Sequence, residues 1–219
     1  MRTIKKEIVK NIMSMSGKYA PYNIFSDWVE LMALTIQNQC CLFRDNLWKK
    51  REEQYLDIAK RYTHDELIRF GDMLGMLVQI FAEGKISDVL GEIYMEAGLG
   101  NKNTGQFFTP YHLSLMCAKM ALSEEPDSII EVNEPSCGGG GMIIGMAAAL
   151  NEKGIDYSRR MRVVAQDLDW KSVYMTYVQL SLLGINAKVV QGNTLGEPYI
   201  KGYPNERVLI TPAGMGVLV

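Results

Sequence analysis

The chain's densest chemistry lies in Glu134-Pro135-Ser136-Cys137-Gly138-Gly139-Gly140-Gly141. Glycines permit positive φ and let a ligand approach the backbone closely. The helix expected to follow presents unpaired N–H groups at its start. Four consecutive glycines are entropically costly, which makes a plain connector a poor use for them; a tight turn is the blander reading. The segment is not a phosphate-binding P-loop, because no Lys-Ser or Lys-Thr follows. Glu134 at its head suits an ammonium group or hydroxyls better than phosphates.

Two further places match it. Gln166-Asp167-Leu168-Asp169 ends a second apolar run. A carboxylate at a strand end can accept both hydroxyl protons of a ribose. Asp167 is the better placed candidate, and Asp169 reads as the cap of the next helix. Gly192-Asn193-Thr194 ends a third run. The Asn193 amide has the donor and acceptor to meet an adenine edge, and a turn asparagine is the equal alternative.

These residues need strands and helices to hold them. Ser128–Val132, Met161–Ala165, Ala187–Val190 and Arg207–Ile210 read as four strands. Helices are expected over Met142–Leu150 and from Asp169 to Leu183, with another starting at Thr109-Pro110 as N-cap and N1. Leu113, Met116 and Met120 are its expected buried stripe. Alternating strands and helices imply an α/β fold with a parallel sheet, whose ligands bind beyond the carboxyl ends of the strands.

The first half of the chain is helical in pattern. Asp27 and Glu30 resemble a capping pair, and Thr63-His64-Asp65-Glu66 is a stronger capping box. Leu67, Phe70, Leu74, Leu77, Val78 and Phe81 follow on one stripe. Ser87 is placed to cap a helix that buries Leu90, Ile93, Tyr94 and Ala97. The expected division is a helical domain over 1–98 and an α/β domain over 99–219, with a polar, glycine-rich stretch from Gly98 to Gly105 between them.

Composition narrows the class. Apolar residues make up 47% and charged residues 22% of 219 residues, as in globular proteins and unlike disordered chains. Twenty-three Lys and Arg against 25 Asp and Glu argue against a broad basic face for nucleic acid. Lys49-Lys50-Arg51 with Lys60-Arg61 could touch phosphate, although a solvated helix face is the plainer reading. Cys40, Cys41, Cys117 and Cys137 form no zinc or disulfide spacing, so no metal is expected. No signal peptide or membrane span is visible, and the expected compartment is the cytoplasm.

Taken together, the motifs resemble the N6-adenine DNA methyltransferases, especially the modification (M) subunit of type I restriction systems. Gly105-Gln106-Phe107-Phe108-Thr109-Pro110 is similar to the segment before that family's cofactor domain. Glu134 to Met142 is similar to its glycine-rich S-adenosylmethionine motif. The match extends upstream to Asp88-Val89-Leu90-Gly91-Glu92-Ile93-Tyr94 and downstream to Gly192-Asn193-Thr194-Leu195. The resemblance implies a Rossmann-like methyltransferase sheet with S-adenosylmethionine as cofactor. It would place Phe108, Thr109 and Pro110 over the methionine part of the cofactor and Glu134 against its ammonium group. Ser136, Cys137 and Gly138 would line the loop, Asp167 would take the ribose hydroxyls, and Leu168 would pack on the adenine. Asn193 stands where the family usually has Asp.

The departure from the family lies at the fourth strand. Adenine N6 has a delocalised lone pair, and the family handles it with Asn or Asp, two prolines and an aromatic residue that stacks on a flipped base. This chain reads Leu209-Ile210-Thr211-Pro212-Ala213-Gly214 there, and its seven prolines are all isolated. Thr211 and Pro212 mark a degenerate catalytic position. The end at Val219 fits either a piece of a longer protein or a small protein that keeps the cofactor half. Two functions follow. One is a DNA adenine N6-methyltransferase or M-subunit-like protein of a restriction-modification system, with DNA and a specificity or other subunit as partners. The other is a catalytically degenerate homologue that binds cofactor or DNA and acts as an interaction module.

Overall fold

The computed structural model describes residues 2–99, 108–122, 129–199 and 203–217. Gly105-Gln106-Phe107, Ser128 and most of the Gly98–Gly105 stretch lie outside them. The chain divides into two compact units, Met1–Lys85 with Val89–Phe107, and Ile86–Asp88 with Phe108–Val219. Among the described residues no helix is long and apolar enough to cross a membrane.

The described residues of the first unit build on helices: α1 (Arg2–Ser14), α2 (Pro21–Gln39), α3 (Asn46–Ala59), α4 (His64–Ala82) and α5 (Val89–Glu96). Its core gathers Ile8, Ile12, Phe25, Trp28, Leu77 and Tyr94, and burying each such side chain stabilises the fold by about 1.5–3 kcal/mol. The Trp28 indole N–H donates to the Phe70 carbonyl at 3.1 Å. Thr63 makes the full capping box with Glu66. Leu90, Ile93, Tyr94 and Ala97 are all buried.

Three expectations change here. Asp27 caps nothing: α2 starts earlier, at Pro21, and Asp27 sits buried within it. Its carboxylate accepts from the Tyr62 hydroxyl at 2.7 Å and from Arg61 at 3.2 Å. Burial first, and that carboxylate second, push the Tyr62 phenol far above its ordinary range. Ser87 is not a cap either, since its hydroxyl is buried without a hydrogen-bond partner. In α4 the buried stripe runs through Phe70, Met73, Leu77, Ile80 and Phe81, whereas Val78 is exposed.

The basic cluster is divided, with Lys49 and Lys50 exposed. Arg51 is buried and donates to the Cys41 sulfur, Lys60 pairs with Asp57, and Arg61 pairs with Asp27.

The second unit orders α6 (Tyr111–Ala121), β1 (Ile130–Glu134), α7 (Gly141–Glu152), a short α8 (Tyr157–Arg160), β2 (Met161–Asp167), α9 (Trp170–Leu182), β3 (Asn186–Gln191) and β4 (Val208–Ile210). The helix after Pro110 begins at Tyr111, and Thr109 makes no cap bond. The stripe of α6 is inverted relative to expectation: Leu113, Met116 and Met120 are exposed, and Ser114 and Ala118 are buried. Small residues win because α6 packs tightly on α7. A Cβ on Gly145 would lie 2.8 Å from the Ser114 backbone. Interaxial distance is set by the side chains at the contact, and here there is room only for small ones.

The sheet order is β1-β2-β3-β4. β1, β2 and β3 are parallel, and Val132, Val163 and Ala187 on one face lie towards α7 and α9. The other face carries Glu131, Arg162 and Asn186 in register and opens a trough of about 680 Å³. β4 departs from the all-parallel expectation by pairing antiparallel with β3. A parallel return needs a crossover of a dozen or more residues, usually a helix. The described residues between β3 and β4 contain no α-helix, only the 3-10 turn Asn205–Arg207.

Candidate functional site

Three strand ends converge on one crevice. Beyond β1 the chain turns at Cys137–Gly140, closed by the Gly140 N–H donating to the Cys137 carbonyl at 2.7 Å. Gly138 and Gly140 adopt φ of +52° and +91°, which only glycine takes without strain. Gly138 has a second constraint, because a Cβ there would lie 3.0 Å from the Phe108 ring. Phe108 thus packs on the loop, while Thr109 and Pro110 are exposed.

Asp167 ends β2 and ties the loops together. Its carboxylate accepts from the Gly138 N–H at 2.8 Å and the Asp169 N–H at 3.0 Å. A carboxylate has about four lone-pair sites, so acceptor capacity remains for a ligand's hydroxyls. The Cys137 N–H donates to the Gln166 carbonyl and the Gly192 N–H to the Asp167 carbonyl, both at 2.9 Å. These bonds lock the loops after β1 and β3 onto β2. Asp169 accepts from the Lys171 N–H and caps α9.

The resulting crevice has a volume of about 220 Å³ and is lined by Pro135, Ser136, Asp167, Leu168 and residues 192–195. Of the expected site residues, Ser136, Asp167, Leu168 and Asn193 meet here. Glu134, at the end of β1, is not among the residues that line it, and accepts from the Ser136 N–H at 3.2 Å. Asn193 uses its side-chain oxygen within its own turn, accepting from the Leu195 N–H at 3.1 Å. Cys137 turns inward: it is buried, and burial pushes its thiol well above the ordinary range. It is not among the residues that line the crevice.

Leu195 was not singled out for a role, yet it shares the crevice with Leu168. The two are 97% and 68% exposed, so large apolar surfaces stand uncovered at one site. Thr194, which carries no signal in the sequence beyond its place after Asn193, donates its hydroxyl to the Pro135 carbonyl at 2.6 Å and joins two of the loops. Behind the loop, α9 is buried nearly all round. The polar Thr176 and Gln179 within it were the available signal, since buried polar groups need partners.

Thr211 and Pro212, the position at which the motif departs from the family it resembles, are elsewhere. Thr211 lies against Ala187 at the amino end of β3, whereas the crevice opens beyond its carboxyl end at Gly192. The two are separated by five residues, roughly 16 Å of strand at ~3.3 Å per residue. Thr211 is fully buried, donates to the Ile185 carbonyl at 2.7 Å and accepts from the Ala187 N–H at 2.9 Å. Pro212 is buried beside it. The antiparallel β4 is the reason: it carries the chain away from the end where the crevice opens.

A family model described as N-6 DNA methylase matches residues 85–212. No curated protein matches the chain. Among solved structures, a candidate class I S-adenosylmethionine-dependent methyltransferase from Listeria monocytogenes is similar over 89% of this chain and 55% of its own, with 10% identity and a TM-score of 0.47. This chain therefore spans about half the length of that structure.

Proposed function

The chain belongs to the N-6 DNA methylase family, and we propose that it binds S-adenosylmethionine in the crevice and serves methylation of adenine N6 in DNA, as an M-subunit-like component of a restriction-modification system. The observation that carries this reading is the pairing of the Asp167 carboxylate with two exposed leucines, Leu168 and Leu195, around one crevice.

That chemistry fits a nucleoside with a cationic tail. Asp167 would accept the ribose hydroxyls. Leu168 and Leu195 would cover the adenine faces, and the Asn193 amide N–H₂ would donate to its edge. Glu134 would face the ammonium group, with Phe108 packed against the loop beside the methionine chain. The bound cofactor would supply an electrophilic methyl group. The chain's own residues would orient it and exclude water, the positioning part of catalysis. Base handling would come from DNA-bound partner residues, because Thr211 is remote from the crevice.

The burial of Thr211 favours a second reading, a cofactor-binding interaction module without methyl transfer. Calorimetric titration with S-adenosylmethionine tests the common premise. Saturable binding that Asp167→Ala loses is expected, and no binding at millimolar cofactor would overturn both forms of it. Labelled methyl incorporated into DNA beyond one turnover, with or without an added subunit, would remove the second reading.

A further inference from the structure

A carboxylate and an amide are buried directly behind the glycine loop, and neither belongs to the ligand-facing set. Asp88 is 3% and Gln179 0% exposed. The Gln179 amide nitrogen donates to the Asp88 carboxylate at 2.7 Å and to the Gly139 carbonyl at 2.7 Å. One turn earlier on α9, the Thr176 hydroxyl donates to the Gly138 carbonyl at 2.9 Å. The same Asp88 carboxylate lies 3.1 Å from where a Cβ on Gly141 would stand, at the first residue of α7. The strap Ile86–Asp88 is itself held, since Tyr111 donates to the Ile86 carbonyl at 2.6 Å.

Two consecutive loop carbonyls are therefore drawn inward by α9, and the amide that holds one of them is oriented by Asp88. A four-glycine segment has no side chains of its own to fix its shape. We propose that Gln179 and Asp88, with Thr176, are the positioning residues of the glycine loop: they hold it in its binding conformation before any ligand arrives. This deepens the cofactor reading and rests on it only for the affinity part. Gln179 is the central member, because both hydrogens of one amide are used and no apolar residue replaces either bond.

The test has two readouts on the full chain. The first is hydrogen–deuterium exchange of peptides covering residues 136–142 without ligand. The second is calorimetric affinity for S-adenosylmethionine. Gln179→Met is expected to speed loop exchange at least tenfold and to weaken affinity at least tenfold, with exchange in α1 and α4 unchanged. Asp88→Ala should loosen the loop, and Asp88→Asn, which keeps an acceptor for the Gln179 amide, should restore most of the protection. Loop exchange in Gln179→Met within twofold of wild type would overturn the proposal, as would Asp88→Asn matching Asp88→Ala. If Gln179→Met does not fold, Thr176→Val removes one hydroxyl and must still loosen the loop. Failure of the wild type to bind cofactor would count against the proposed function alone, because the exchange measurement decides the brace by itself.

Discussion

The two ends of the sheet use polar groups in opposite ways. At the carboxyl end, Asp167, Glu134 and Asn193 make local bonds that shape loops, and the leucines between them stay in water. At the amino end, Thr211 spends its hydroxyl on the backbone of β3 and is sealed from solvent. The first arrangement leaves surface and acceptor capacity for a ligand. The second is structural, because a buried hydroxyl with satisfied partners has nothing left to offer. The comparison teaches that a residue's place in a motif does not decide its job: the neighbouring strand's direction does.

This contrast can be broken by measurement. The largest effect is expected from Asp167→Ala, which removes ligand acceptors and unties Gly138. Two charge-assisted hydrogen bonds at about 1.5–3 kcal/mol each predict a loss of more than ~100-fold in S-adenosylmethionine affinity. A calorimetric change under threefold would refute the assignment of the crevice.

Thr211→Val should do the reverse. It leaves the buried Ala187 N–H and the Ile185 carbonyl without that partner, at a cost of about 2–3 kcal/mol in denaturant-measured stability. Cofactor affinity at a temperature where both proteins are folded should stay within twofold. A binding defect larger than the stability defect would show that the two ends are coupled.

Leu195→Ala sharpens the same line from the other side. Its side chain is almost wholly exposed, so melting should not move. Covering it with a ligand is worth about 1 kcal/mol, which predicts roughly fivefold weaker binding.

The smallest effect concerns Cys137. Its thiol is pushed up by burial, so the folded state holds its proton at pH values where the unfolded chain begins to release it, near pH ~8.5. Stability from this group is intact below that value and declines as pH rises above it. Cys137→Ala should flatten the alkaline limb of a stability–pH curve. In the native protein, exposed Cys117 should react with a thiol reagent while Cys137 stays protected.

Local chemistry made much of this legible. The Thr63 capping box, the helix cap at Asp169 and the strand patterns of β1, β2 and β3 depend on neighbours in sequence, and the structure bears them out. The clustering of Asp167, Leu168, Asn193 and the glycines followed from strand ends in an α/β order, because parallel strands bring their carboxyl ends together. Faces and directions were another matter. Leu113, Met116 and Met120 read as core, but the approach of α6 to Gly145 admits only Ser114 and Ala118. Asp27 read as a cap, but Tyr62 and Arg61 reach it from 35 and 34 residues away. Sequence alone determined the first three strands, the helices after the glycine turn and after Asp169, and the glycine turn itself, since each is governed by backbone conformation and short-range hydrogen bonds. Tertiary structure alone decided that β4 runs antiparallel, that Thr211 is buried far from the crevice, and that Gln179 and Asp88 meet behind the loop. Those outcomes depend on which distant surfaces pack, and packing is settled by volume and hydrogen-bond satisfaction across the whole unit.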